Sequence, residues 1–162
     1  MTGLAARINA LPESEAAAAL RRCCGAERWV ERMVRGRPYA DDAMVFAAAE
    51  RAWWDLARED WLQAFRAHPR IGERSTDAWS QREQAGVDGA GTAVRSRLVA
   101  GNEAYERRFG HVYLACATGR GGDELLADLE ARLTNDPARE LRIAAAEQAK
   151  ITRLRLEKLE HP

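Results

Sequence analysis

Cysteine and histidine are scarce in this sequence, with three residues of each. Cys23 and Cys24 are adjacent, the cysteine count is odd, and no two cysteines stand two residues apart, as zinc ligands commonly do. No histidine stands at helical ligand spacing from another histidine or from a cysteine. The pattern excludes a disulfide scaffold and gives no support to a metal site, so we expect reduced cysteines in the core.

Long apolar runs and an excess of one charge are also absent. The longest uncharged stretches, such as Val112–Gly119, are far too short to span a bilayer, and no basic segment followed by an apolar core indicates a secretory signal. The 25 basic residues balance 25 acidic ones, which argues against a nucleic-acid partner. We therefore expect a soluble, cytoplasmic protein that binds neither a membrane nor a nucleic acid.

The motifs of two common enzyme classes are missing as well. There is no Gly-x-Ser-x-Gly elbow of a serine hydrolase and no glycine-rich nucleotide-binding motif. Only His111–Thr118 suits a buried strand, and no second such run exists to pair with it, so we interpret it as helical or irregular. The sequence predicts one all-α domain over residues 1–162, a single bundle of roughly seven or eight helices.

Apolar residues recur at three- and four-residue spacing along most of the chain, which predicts amphipathic helices. Ser14, Asp41 or Asp42, and Asp123 are the expected N-caps of three of them, and Pro137 is the expected first residue of the last. Gly101 and Asn102 are expected to interrupt the longest helix of the second half. The predicted helices cover approximately residues 12–25, 26–35, 42–56, 60–68, 78–85, 90–109, 123–133 and 137–159.

An imidazole stands directly before a proline in the stretch His68-Pro69-Arg70-Ile71-Gly72-Glu73. Because Pro69 disfavours the α conformation of the residue before it, the preceding helix must end at His68. The carbonyl groups at a helix C-terminus favour an imidazolium and burial opposes it, a balance that suits acid–base catalysis near neutral pH. A lone histidine is more often a core or surface residue, so this interpretation depends on its neighbours.

Polar side chains follow His68 within about a dozen residues. If residues 78–85 are helical, Ser80, Glu83 and Gln84 share one face. A carboxylate within reach of His68 would orient the ring, and the hydroxyl and amide would offer neutral hydrogen bonds to a polar substrate. Without His68, the same three residues would be read as the solvated face of a short helix.

Two arginines stand in unusual surroundings. Arg120 lies in a glycine-rich loop, and Arg155 lies on a mostly apolar face of the last predicted helix. A guanidinium presents a planar fork of donors that suits an anionic or carbonyl-rich ligand. For either arginine considered alone, a structural ion pair is the simpler interpretation.

Short motifs spread along nearly the whole chain, in their order and spacing, resemble the OHCU decarboxylase family, which acts on 2-oxo-4-hydroxy-4-carboxy-5-ureidoimidazoline in the conversion of urate to allantoin. The sequence departs from the family at Gln63, where many members have glutamate, and at His111, where an aromatic residue is common. The motifs that carry the resemblance include Cys23-Cys24-Gly25, Arg37-Pro38-Tyr39, Asp60-Trp61-Leu62, His68-Pro69-Arg70-Ile71-Gly72, Glu83-Gln84-Ala85-Gly86, Cys116-Ala117-Thr118-Gly119-Arg120 and Lys150-Ile151-Thr152-Arg153-Leu154-Arg155-Leu156.

The resemblance implies an all-α, cofactor-free carboxy-lyase that is usually a homodimer and acts on a small-molecule substrate. It implies that His68 and Glu83 are the catalytic pair. The substrate contacts that it implies are Pro69, Ser80, Gln84, Arg155 and, with a weaker match, Arg120.

The predicted function is therefore cofactor-independent decarboxylation in purine catabolism, with (S)-allantoin as the product. One alternative is a non-catalytic α-helical module that binds a ligand at the same cluster. The other is a different cofactor-free lyase or hydrolase that acts on a related ureido compound. The optical activity of the product separates the enzyme from the module, and a panel of substrates separates the two enzymes.

Overall fold

The computed structural model describes residues 3–73 and 77–160, and within these ranges the chain forms ten helices and no strand. The all-α prediction is confirmed, and the predicted loop from Gly72 to Asp77 lies partly outside the described residues. The helices are α1 (Leu4–Ala10), α2 (Glu13–Cys23), α3 (Glu27–Arg35), α4 (Asp42–Trp54), α5 (Arg58–Arg66), α6 (Ala78–Glu83), α7 (Ala85–Asp88), α8 (Thr92–Phe109), α9 (Gly122–Arg132) and α10 (Pro137–Glu160).

The predicted number of roughly seven or eight helices is wrong because two short helices, α1 and α7, leave too weak a periodic signal. Helix α1 has only seven residues and is held by tertiary contacts: Leu4 and Ile8 are buried. The N–H of Ala5 in its first turn donates to Oδ1 of Asp42 at 2.8 Å. Helix α7 has four residues and is separated from the last residue of α6, Glu83, by Gln84 alone.

The chain divides into two compact units, the first comprising Met1–Ala64 and Ala149–Pro162 and the second comprising Phe65–Gln148. Helices α5 and α10 each contribute residues to both units. The expectation of a single domain over residues 1–162 stays a prediction. None of the helices in the described ranges is long and apolar enough to cross a membrane.

The first unit is organised around buried aromatic side chains whose polar atoms bond to the backbone. Trp29 is fully buried, and its indole N–H donates to the carbonyl of Ala49 at 3.1 Å. The Tyr39 hydroxyl donates to the carbonyl of Met33 at 2.7 Å. Such bonds let large amphipathic rings occupy a core without leaving a polar atom unsatisfied.

Helix capping followed the local sequence at some ends and not at others. Asp41 caps α4 as predicted, since its carboxylate accepts from the N–H of Met44 at 2.9 Å, and α10 begins at Pro137 as predicted. The predictions for Ser14 and Asp123 are wrong, because α2 and α9 each begin two residues earlier than these caps would require, after Pro12 and Gly121. These two side chains therefore lie inside the first turn, where the chain has already become helical.

The second unit has a core in which α8 and α9 contribute most of the apolar residues. Helix α8 is continuous from Thr92 to Phe109, so the predicted interruption at Gly101 and Asn102 is wrong. A Cβ at Gly101 would lie 2.6 Å from Cδ2 of Leu129, so the glycine allows α9 to approach closely. The core of this unit consists of Ile71, Val87, Leu98, Tyr105, Phe109, Tyr113, Ala115, Ala117, Leu125, Leu126 and Leu129.

The segment between α8 and α9 is irregular, in agreement with one of its two predicted conformations. Gly110 ends α8 with a positive φ of 78°, and no helix or strand forms between it and Gly122. Much of the segment is buried, and its backbone bonds to charged side chains: the guanidinium of Arg132 donates to the Leu114 carbonyl at 2.8 Å. The N–H of Cys116 donates to Oε1 of Glu147 at 3.3 Å. Buried backbone groups outside regular structure require such partners.

Candidate active site

His68 lies in a tight turn just beyond the end of α5. Helix α5 ends at Arg66, and the N–H of His68 donates to the carbonyl of Phe65 at 3.1 Å. The predicted helix end at His68 is wrong by two residues, because the chain leaves the helix after Arg66, although His68 is non-helical, as a residue before proline should be. Gly72 has a φ of 89°, a left-handed conformation that glycine adopts without strain, and it turns the chain after Ile71. The imidazole therefore stands at the start of a turn whose shape is set by a proline and a glycine.

Two side chains from other elements fix this turn. Oε1 of Gln84 accepts from the N–H of Gly72 at 2.9 Å. The amide nitrogen of Asn102, in α8, donates to the carbonyl of Ile71 at 3.0 Å and to that of Leu98 at 2.9 Å. The structure thus brings together the turn that carries His68 and the end of the short helix that carries Ser80 and Glu83.

The ring of His68 bonds to a residue that the sequence analysis did not place in the site. Its Nε2 lies 2.6 Å from Oε1 of Gln148, a fully buried residue of α10. An amide oxygen can only accept, so in this arrangement Nε2 carries the proton and donates. Nothing in the local sequence connects Gln148 with a histidine 80 positions away.

Ser80 and Glu83 lie on the short helix α6. Asp77 caps this helix, because its Oδ2 accepts from the N–H of Ser80 at 2.9 Å and from the Ser80 hydroxyl at 3.0 Å. Ser80 is buried and Glu83, the last residue of α6, is half-buried. Pro69 is also half-buried. The pairing of Glu83 with His68, and the substrate contacts of Pro69 and Ser80, stay predictions.

Arg120 lies among three carboxylates. Its Nη1 lies 3.5 Å from Oε1 of Glu147, its Nη2 3.8 Å from Oδ1 of Asp128, and its Nε 4.0 Å from Oε2 of Glu124. These contacts favour the structural interpretation of Arg120, because an anionic ligand would have to compete with charges already in place. The carbonyl of Arg120 lies against α7: a Cβ at Gly86 would be 2.2 Å from it, so that position requires glycine.

Arg155 belongs to the first unit, where it occupies the C-terminal end of α2. Its Nη1 donates to the carbonyl of Arg22, in the last turn of α2, at 3.1 Å, and the residue is only 9% exposed. This explains an arginine on a mostly apolar helix face, since a cation stabilises the carbonyl end of a helix. Its predicted contact with substrate stays a prediction.

The sequence predicts reduced, small cysteines in the core. None of the three forms a disulfide in the described residues, Cys23 and Cys24 are buried, and Cys116 is half-buried. Burial raises the pKa of each of the Cys23 and Cys24 thiols to about 12, although the Arg155 charge opposes the shift. Two of the three thiols therefore have little thiolate character and are hidden from solvent.

A second polar cluster in the same unit surrounds Arg132. The guanidinium Nε of Arg132 donates to both carboxylate oxygens of Glu140, at 2.8 and 3.0 Å. Its Nη1 donates to Asp128 at 3.2 Å, and the Tyr105 hydroxyl donates to Glu140 at 3.0 Å. The Tyr113 hydroxyl donates to Asp128. We call Tyr105, Tyr113, Asp128, Arg132 and Glu140 the Arg132 cluster.

Comparison with known proteins relates this arrangement to one family. The family model described as OHCU decarboxylase matches residues 9–157. The chain is 35% identical over 133 residues to the 2-oxo-4-hydroxy-4-carboxy-5-ureidoimidazoline decarboxylase of Haloferax volcanii, an alignment that covers 79% of each chain. It is 33% identical over 146 residues to a bifunctional uric acid degradation protein of Arabidopsis thaliana, covering 85% of this chain but only 45% of the plant protein.

Two solved structures have the same fold. A crystal structure of OHCU decarboxylase in the presence of (S)-allantoin superposes with a TM-score of 0.80 at 32% identity, covering 88% of this chain and 96% of that one. A crystal structure of (S)-allantoin synthase superposes with a TM-score of 0.75 at 18% identity, covering 95% of this chain and 53% of that one. At that lower identity the second structure is similar in fold alone.

Proposed function

This chain belongs to the OHCU decarboxylase family, and we propose that it catalyses the decarboxylation of 2-oxo-4-hydroxy-4-carboxy-5-ureidoimidazoline to (S)-allantoin in urate degradation. The observation that carries the proposal is the similarity to an OHCU decarboxylase crystallised in the presence of (S)-allantoin, which extends over 88% of this chain. The turn that holds His68, anchored by Gln84 and Asn102, adds support from the molecule itself.

The proposed substrate contains its own electron sink. Its C4 carries a hydroxyl and a carboxylate, and the neighbouring C5 is doubly bonded to a ring nitrogen. When CO2 leaves, the electron pair of the broken bond delocalises towards that imine nitrogen, and C4 and C5 become the carbons of an enol. This route requires no metal or organic cofactor, because the acceptor of the electrons is part of the substrate. The protein must orient the carboxylate, stabilise the developing charge and deliver a proton to one face of C5.

We assign His68 to polarise the C4 hydroxyl and to shuttle its proton, with Glu83 orienting the imidazole. The ring stands in a turn held at Ile71 and Gly72, and a fixed position is what proton transfer in the transition state requires. The proton delivered to C5 comes from the same pair or from a bound water.

Gln84 is proposed to bind a carbonyl of the substrate. Its side-chain oxygen is already bonded to the N–H of Gly72, so the amide nitrogen is the atom with which it donates to a ligand. Pro69 and Ser80 flank the same turn and helix and are proposed as further contacts. Arg155 and Arg120 are retained as proposed contacts from the resemblance alone.

The test supplies purified protein with urate, uricase and hydroxyisourate hydrolase and follows optical activity. We expect (S)-allantoin to form faster than in the absence of the protein. Racemic allantoin at the uncatalysed rate would favour a binding module instead, and turnover of another ureido compound in a substrate panel would favour a different lyase or hydrolase.

The same assay tests the absence of a cofactor. After dialysis against a strong chelator we expect the rate to be unchanged, because the substrate provides the electron sink. Activity that is lost on dialysis and restored by a divalent metal would refute this part of the proposal.

We also propose a cytoplasmic homodimer, as the resemblance implies. Sedimentation at micromolar concentration is then expected to give twice the mass of the chain. A monomer at that concentration would contradict the dimer without affecting the proposed reaction.

A further inference from the structure

We propose that Gln148 is a positioning residue of His68: it holds Nε2 as a hydrogen-bond donor and thereby makes Nδ1 the nitrogen that exchanges protons with the substrate and with Glu83, its proposed partner. The role in catalysis rests on the proposed function, whereas the hydrogen bond does not. Gln148 is not a catalytic residue in this proposal, since it acts through the imidazole.

The contact itself is short and protected. Nε2 of His68 and Oε1 of Gln148 are 2.6 Å apart, which brings them into hydrogen-bond contact. Gln148 is fully buried, whereas His68 is half-buried. A buried amide oxygen that loses its donor incurs the full cost of desolvation, so the ring and the amide hold each other in place.

Helix α10 and the contacts of a neighbouring residue hold Gln148 in place. The residue lies in a helix of 24 residues, and the preceding Glu147 accepts from the N–H of Cys116 and contacts Arg120. Burial removes most of the rotamer freedom that a glutamine has in solvent. The amide oxygen is therefore a fixed reference point for the orientation of the imidazole, as a site on regular structure should be.

The consequence for the chemistry concerns which nitrogen can accept a proton. A neutral imidazole carries one N–H and one lone pair, so a ring that donates through Nε2 has its lone pair on Nδ1. An amide oxygen cannot take the Nε2 proton, in contrast to a carboxylate. Proton uptake and release then occur at Nδ1, and the ring keeps its orientation through both protonation states.

The first test is nuclear magnetic resonance of the resting protein labelled with 15N at histidine. We expect a downfield, slowly exchanging proton attached to Nε2 of His68 at neutral pH, and its loss in Gln148→Met, which has a similar volume but offers no amide oxygen. Gln63→Met is the matched control, because it removes a glutamine oxygen that accepts from the N–H of Glu27 at 3.0 Å in the other unit. An unprotonated Nε2 in the wild-type protein, or a resonance unchanged in Gln148→Met, would overturn the proposal.

The second test compares decarboxylation kinetics. We expect Gln148→Met to lower kcat by about 10- to 100-fold with little change in KM, and Gln63→Met to stay within about twofold of the wild type. A Gln148→Met protein that loses the resonance but keeps wild-type kcat would refute the positioning role. If the wild-type protein itself does not decarboxylate the substrate, the proposed function fails, while the resonance experiment still decides the hydrogen bond.

Discussion

The second unit contains two buried polar regions that are built on opposite principles. In the Arg132 cluster, a guanidinium that is 5% exposed meets two carboxylates, and two tyrosine hydroxyls donate to the same carboxylates. His68, in contrast, bonds through its ring to the oxygen of a neutral glutamine and through its N–H to the backbone of its own turn. The first region holds a buried guanidinium against carboxylates, whereas the second holds a ring with a neutral amide.

The pKa values in the Arg132 cluster are shifted by its buried position. Burial is the main cause that raises the pKa of both Tyr105 and Tyr113 well above the ordinary value for a phenol, and the neighbouring carboxylates add to it. For Arg132, burial alone would lower the pKa, but the Glu140 carboxylate more than compensates and the net shift is upward. Tyr105, Tyr113 and Arg132 therefore keep their protons across the physiological range, so these three side chains are suited to a structural role and not to proton transfer.

The largest expected effect on activity comes from His68→Asn. The variant keeps some hydrogen-bonding capacity and nearly the same size but cannot exchange protons near neutral pH, so we expect kcat to fall by roughly 100- to 10,000-fold. Its free energy of unfolding should change by no more than about 1.5 kcal/mol, because the position is half-buried and asparagine keeps part of the hydrogen-bonding capacity of the ring. Single-turnover kinetics and urea unfolding measure the two quantities. A variant that unfolds more easily yet keeps its activity would show that His68 stabilises the fold and does not take part in catalysis.

The corresponding variant in the Arg132 cluster is Arg132→Met, for which the main effect is expected on stability. It leaves Glu140, which is fully buried, as a carboxylate without its cation, so we expect the free energy of unfolding to fall by about 3–5 kcal/mol. Arg97→Met is the matched control, because Arg97 pairs with Glu130 at the exposed surface and should contribute less than about 1 kcal/mol. Urea unfolding measures both variants. Equal losses in the two would contradict the view that burial makes the Arg132 cluster critical.

A smaller effect on activity is expected from Glu83→Gln, which removes the proposed partner of His68 but not the ring. If the two residues act as one unit, the double variant with His68→Asn should lose little more than His68→Asn alone. Single-turnover decarboxylation of the two single variants and the double variant measures this coupling. A double loss equal to the product of the single losses would mean that Glu83 acts independently of His68.

The smallest expected effect is an alkaline destabilisation that belongs to the Arg132 cluster. The pKa of Tyr105 is raised in the folded protein, so its contribution to stability is complete below the unfolded value near pH 10 and is lost as the pH rises above it. The stability advantage of the wild type over Tyr105→Phe should therefore shrink by about 1.4 kcal/mol between pH 9 and pH 11. Urea unfolding across that range provides the measurement. A constant difference would show that Tyr105 titrates equally in both states.

Local sequence signals located most helices correctly because they act over one or two turns. The carboxylate of Asp41 caps α4, Gly110 ends α8 in the left-handed conformation, Pro137 begins α10 and Pro69 ends the helix before His68. The failures have a tertiary cause: α1 depends on a cap from Asp42, and α8 continues through Gly101 because α9 packs against it. A pattern of seven residues cannot report a contact with a residue far along the chain.

Periodicity, caps and side-chain types are local properties, so the amino-acid sequence was enough to predict the all-helical class, the approximate ranges of eight helices and the residues that could do chemistry. The partner of each polar residue could be read only from the packed structure. Gln148 meets His68 across 80 positions, Arg155 reaches a carbonyl 133 positions away, and Arg120 lies among carboxylates that balance its charge. Such pairings depend on how helices pack, and burial then decides whether a charged group stabilises the fold or remains able to exchange a proton.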